Sequence, residues 1–150
     1  MAVLRSNLTD EERSLIRDHV DRLIELEIDL PALVYTRFFE GRPEIQDLFG
    51  PSLANKRQML DDTLVAVVDL VDGASWLLEN LLALGSRHRH TYEATEAMYG
   101  LWEDAVIQGF HAALGEGFTP AHEAAYRKAL GEVHHYMLVG AYPKRFAALG

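Results

Sequence analysis

The chain has 150 residues, 49% hydrophobic and 25% charged, with 14 basic against 23 acidic side chains and a formal net charge of −9. That is one domain's length, so we read a single domain over residues 1–150 with a core of its own. The acidic balance argues against a nucleic-acid or anionic-membrane partner, both of which want a basic face, and the absence of cysteine removes disulfides, thiolate metal sites, iron–sulfur clusters and cysteine nucleophiles.

Taken in chain order, the pattern is helical throughout. Thr9-Asp10-Glu11-Glu12 reads as a capping box, in which Thr9 and Glu12 satisfy each other's orphan backbone donors. Behind it Leu15, Ile16, Val20, Leu23 and Ile24 recur at helical spacing. Asp29-Leu30-Pro31 restarts a helix, with proline tolerated in the first turn. It runs through Leu33, Val34 and Phe38 until Gly41 and Pro43 break it. A short helical segment over 43–49 follows, then Gly50-Pro51 as a turn. Ser52 caps a long helix bearing Leu60, Leu64, Val67, Val68 and Val71, stopped near Gly73. Ser75 opens the next, with Leu77, Leu81, Leu84 and His88. Thr95 starts a helix with Met98, Leu101, Trp102, Ala105, Val106 and Phe110, ended by Gly115-Glu116-Gly117. Thr119-Pro120 caps a last one through Ala124, Leu130, Val133 and Met137, closing before Pro143. We expect an all-α domain of seven or eight helices. No apolar run is long enough to span a bilayer, and the N-terminus lacks a signal-peptide layout, so a cytoplasmic protein is the expectation.

Two histidines stand two positions apart, His88 and His90. At about 100° per residue, Leu77, Leu81 and Leu84 fall within roughly 40° of His88 around the helix axis, while His90 sits about 200° away. His88 therefore faces the apolar interior and His90 faces water, and the two cannot chelate one ion together. A histidine on an apolar stripe is also what a hydrogen-bonded core residue looks like. His111, His122, His134 and His135 show no ligand spacing and read as surface or helix-packing residues. His19, among Asp18 and Asp21, reads as solvated.

The stretch from Tyr35 through Phe38, Phe39, Pro43 and Phe49, the run Leu84-Gly85-Ser86-Arg87-His88, Tyr99, and Leu114-Gly115-Glu116-Gly117-Phe118-Thr119-Pro120 stand in order along the chain. Together they resemble the globin family, in its bacterial single-domain type, over nearly the whole chain. The resemblance implies a globin fold around a haem pocket, haem b as cofactor and His88 as the iron ligand. It implies Phe49 packing on the porphyrin six residues after Pro43, and Tyr35, eight residues before it, lining the distal side. Leu84 and Tyr99 then fall among the cofactor contacts. Neutral His88 would supply one nitrogen to iron, and its second ring nitrogen should donate to a backbone carbonyl, that of Leu84 one turn back. Tyr35 would offer a phenol donor to a bound gas, or serve as a core tyrosine bonded to a carbonyl.

The distal helix departs from the family's pattern. Members with this loop length carry a histidine or glutamine 32 residues before the proximal histidine, which here is Lys56, and a pocket-facing aliphatic residue four later, Leu60. Slips of register would offer Asn55, Arg57 or Gln58 instead. Coordination by Lys56 would require deprotonation from a pKa near 10.4, costing about 4–5 kcal/mol at neutral pH, so we expect an open or water-filled sixth position there.

The function expected is reversible binding of a diatomic gas: oxygen, or nitric oxide or carbon monoxide. The alternatives are a gas or redox sensor or interaction module, or a nitric oxide dioxygenase served by a separate reductase. Oligomerisation stays open.

Overall fold

The structure, a computed structural model, describes residues 4–40, 42–44 and 53–147. Among these residues are seven α-helices and no strand. They are α1 (Asp10–Glu25), α2 (Leu30–Glu40), α3 (Leu53–Asp72), α4 (Leu77–His90), α5 (Glu96–Leu114), α6 (Pro120–Ala141) and α7 (Pro143–Ala147), with a short 3₁₀ turn at Gly115–Gly117. The all-α expectation holds. Residues 45–52 lie outside the described residues, and with them Phe49, the Gly50-Pro51 turn and the Ser52 cap.

The helix starts follow from local chemistry. The Thr9 hydroxyl accepts from the Glu12 amide while the Glu12 carboxylate accepts from the Thr9 amide, closing the capping box. Asp29 accepts from the Ala32 amide at the head of α2. At α6 the same reciprocal cap forms with a histidine in the glutamate's place: the Thr119 amide donates to His122 Nδ1, and the His122 amide donates to the Thr119 hydroxyl. Gly73, at φ 68°, turns the chain from α3 into α4 in a conformation that costs other residues.

Two close approaches set the helix packing. A Cβ on Gly85 of α4 would fall on the Met137 carbonyl of α6, and one on Gly140 of α6 would fall on the Leu82 carbonyl of α4. The two helices thus cross backbone against backbone, each through a glycine of its own. Gly109 lets α5 close on a side chain of α2, where an added Cβ would come within 2.6 Å of Val34 Cγ2. Around these crossings Val34, Val67, Val106, Phe110, Tyr126 and Leu130 are fully buried, each contributing about 1.5–3 kcal/mol of transfer free energy.

His19 is a correction. It is buried at 1% exposure, not solvated, because α1 packs on α6 along the stripe of Ile16 and turns His19 inward with it. Its Nδ1 lies 2.5 Å from the Tyr126 hydroxyl, its ring stands edge-on to Phe110 and Tyr126, and its Nε2 is buried without a hydrogen-bond partner. His122 is buried as well, the helix-packing member of the two roles expected for it.

At the far end, Arg89 of α4 donates to the Ala141 carbonyl at 2.7 Å and lays its guanidinium 4.2 Å from the Tyr142 ring centre. Arg145 covers the same ring at 4.4 Å and pairs with Glu96 of α5 at 3.0 Å. Among the described residues no helix is long and apolar enough to cross a membrane.

Candidate functional site

Where α4 rests on α6, α3 stands apart, and a cavity of about 380 Å³ opens between them. That lies within the size range of small-molecule sites, about 300–1,000 Å³. Helix α4 contributes Leu84, Arg87 and His88; α6 contributes Val133, His134 and Met137; α5 contributes Met98, Tyr99 and Trp102. The α3 wall carries Gln58, Met59, Asp62, Thr63 and Ala66, and Phe38 of α2 closes the interior end.

His88 carries the site's chemistry. Its Nδ1 lies 2.9 Å from the Leu84 carbonyl oxygen, the bond expected from the sequence. Burial pulls the imidazole below its ordinary pKa, with Arg87 and His134 adding to the effect and the Leu84 carbonyl and Asp62 opposing it. The ring is therefore neutral at pH 7. A carbonyl only accepts, so the single proton sits on Nδ1 and the lone pair on Nε2 is left for a ligand. Nε2 has no hydrogen-bond partner among the described residues. The chain turns directly after it: the Ala94 amide donates to the His88 carbonyl at 2.8 Å, shaping the α4–α5 corner. His90, two positions on, is exposed.

Beyond His88, Tyr99 stacks obliquely at 6.4 Å between ring centres, and burial pushes its phenol up to about 12. His134 stands edge-on to Tyr99 at 5.2 Å, with its Nδ1 3.6 Å from Glu103 Oε2. This second cavity histidine had been read as a surface or packing residue. The signal available for it was its placement one turn from Leu130 and Met137 on the buried face of α6.

The distal register is corrected. Met59 and Thr63 line the cavity, where Lys56 and Leu60 had been expected, a shift of three residues at both positions (56 to 59, 60 to 63). The residues facing the cavity stand 29 and 25 positions before His88 instead of 32 and 28, so the helical face that α3 turns to His88 is not the one that the family spacing implied. Leu60 is in the core at 1% exposure, about a quarter-turn round the helix from Met59. Lys56 lies outside the cavity, with its Nζ 5.6 Å above the Phe39 ring. Gln58, one of the alternatives, does reach the rim, where its amide donates to Asp62 at 2.8 Å.

Of the two roles expected for Tyr35, the structure shows the buried tyrosine bonded to a carbonyl. Its hydroxyl donates to the Lys56 carbonyl at 2.7 Å, and with Lys56 it lines a separate recess that does not include His88. Burial holds the phenol far above its ordinary pKa. Thr63 occupies the position nearer the cavity: its hydroxyl donates to the Met59 carbonyl at 2.9 Å and accepts from Trp102 Nε1 at 3.1 Å. No cluster of three or more histidine or carboxylate groups suited to a metal ion occurs among the described residues.

The result is an all-α protein that presents one neutral, oriented imidazole to an apolar cavity between its helices. The globin family model matches residues 32–137, and the chain belongs to the globin family. Among solved structures it is similar to a hexacoordinated heme protein from an anhydrobiotic tardigrade, crystallised at pH 4. The identity is 16%, with 90% of this chain and 96% of that chain covered and a TM-score of 0.75, a likeness of fold. No curated protein matches the chain.

Proposed function

We propose that the chain binds haem b in this cavity, with His88 Nε2 as the iron ligand, and binds a diatomic gas reversibly. The observation that carries the reading is the His88 ring itself: neutral by burial, with its proton held on Nδ1 by the Leu84 carbonyl and its Nε2 turned to the cavity. Haem, when bound, would supply an iron that can coordinate a gas on the face away from His88.

The other residues fit such a group. Leu84, Val133 and Phe38 offer apolar surface and Tyr99 an aromatic face. Arg87 is exposed at the rim, with no ion-pair partner among the described residues, and suits the carboxylates of the macrocycle's edge. The tardigrade protein, itself a heme protein, supports the same cofactor. The order of the motifs from Pro43 to Pro120 supports the bacterial single-domain type.

The test is titration of the purified protein with haemin. Saturation at one haem per chain with a Soret band, shifting on reduction and carbon monoxide, is the expected result. A weak, non-saturating rise matching that of a protein without a haem site would refute the reading.

A further inference from the structure

The α3 wall carries no histidine, and its polar groups are engaged with one another. Thr63 is held between the Met59 carbonyl and Trp102. Gln58 and Asp62 are exposed and bonded to each other. Ala66 has no donor. The remaining group is the Met59 thioether, half-buried and facing the cavity. Two further thioethers line it, but Met137 lies on the α6 wall, its backbone against Gly85 of the His88 helix. Met98 opens α5 beside Tyr99, at the corner that the His88 carbonyl closes.

Resting on the haem reading above, we propose that Met59 is the second axial ligand, occupying the position on the α3 side when no gas is present. A thioether sulfur carries no proton, so unlike a lysine it binds iron with no deprotonation cost. The side chain is unbranched, with three rotatable bonds that let the sulfur swing in or out without moving the helix. The Thr63 hydroxyl braces the peptide that bears it, so the swing is confined to the side chain. A histidine–methionine pair favours the reduced metal relative to histidine with water. The site is thus poised for electron transfer or redox sensing, and a gas must displace Met59 to bind.

The test compares the haem-loaded native protein with Met59→Leu, which keeps the volume and removes the sulfur. The native ferric protein should be low-spin, with the near-infrared charge-transfer band of thioether ligation. The reduced protein should show a methionine methyl proton resonance shifted far upfield by the haem ring. In Met59→Leu both signatures should vanish with the Soret band retained, the reduction potential should fall, and carbon monoxide should associate at least about tenfold faster, as expected when the competent state was a minor one. A native protein with a Soret band but neither signature would overturn the proposal and leave haem binding intact. Loss of the near-infrared band in Met98→Leu or Met137→Leu with the Soret band retained, and Met59→Leu unchanged, would overturn the assignment to Met59. Absence of any specific Soret band in the native protein would overturn both readings.

Discussion

The Nδ1 of His88 and the carbonyl oxygen of Leu84 stand 2.9 Å apart, one turn of the same helix separating them. This bond fixes both the tautomer and the direction in which the ring's free nitrogen looks. His88→Ala should therefore weaken haem retention at least about tenfold, while His90→Ala, on the exposed face, should leave it nearly intact. Haem transfer to an acceptor protein, followed at the Soret band, measures both; equal loss in the two variants contradicts the assignment.

Tyr35→Phe should act on stability and hardly at all on gas release. The hydroxyl it removes is bonded to the Lys56 carbonyl and not directed into the His88 cavity. Leaving that acceptor without its donor costs about 1 kcal/mol, a fall in melting temperature of about 2–4 °C for a chain of this size. Stopped-flow gas dissociation accelerated tenfold would show that the phenol reaches the ligand. Lys56→Ala should likewise leave the ferric spectrum unchanged from pH 6 to 10.

Two glycines on neighbouring helices should respond with opposite sign. Gly85→Ala drives a methyl into the Met137 carbonyl, and because the obstacle is backbone the cost should reach about 3 kcal/mol or more. Gly131→Ala sits on the exposed side of α6 with nothing within 4 Å of the new carbon. It should stabilise by about 0.5–1 kcal/mol through helix propensity alone. Urea unfolding of both variants checks the pair.

Acid should find the His19 cluster. Burial, then the neighbouring His122 and Arg22, lowers the His19 pKa from 6.5 to about 3. Between those values the unfolded chain binds a proton that the folded chain does not. This contribution to stability is intact above about pH 6.5 and is lost as the pH falls towards 3, at up to about 1.4 kcal/mol per unit. His19→Phe should flatten the pH dependence of unfolding free energy between pH 6 and 4 by close to one proton. An unchanged slope would mean that the histidine protonates in place.

The helices were readable because their starts are chemical: Thr9 with Glu12, Asp29 before Pro31, Thr119 before Pro120. His88 was readable because the leucines at one-turn spacing behind it give its direction. Met59 was hidden by a different kind of information. Which residue of α3 faces the cavity is set by how the helix is rotated against α4 and α5, which a spacing carried across from other family members does not contain. His19 was misjudged for a related reason. It lies beside Asp18 and Asp21 in sequence, and only packing against α6 shows that its ring is dry.

The Tyr142 ring, held between Arg89 and Arg145, makes the segment that follows α6 a splint for the histidine helix. Arg89 follows His88 directly and is fastened to Ala141, while Arg145 reaches Glu96 at the start of the next helix. Replacing Tyr142 with a residue that has no ring would therefore loosen the last turn of α4 from a distance. Relatives that share every cavity residue should differ in cofactor affinity according to whether this stack is kept.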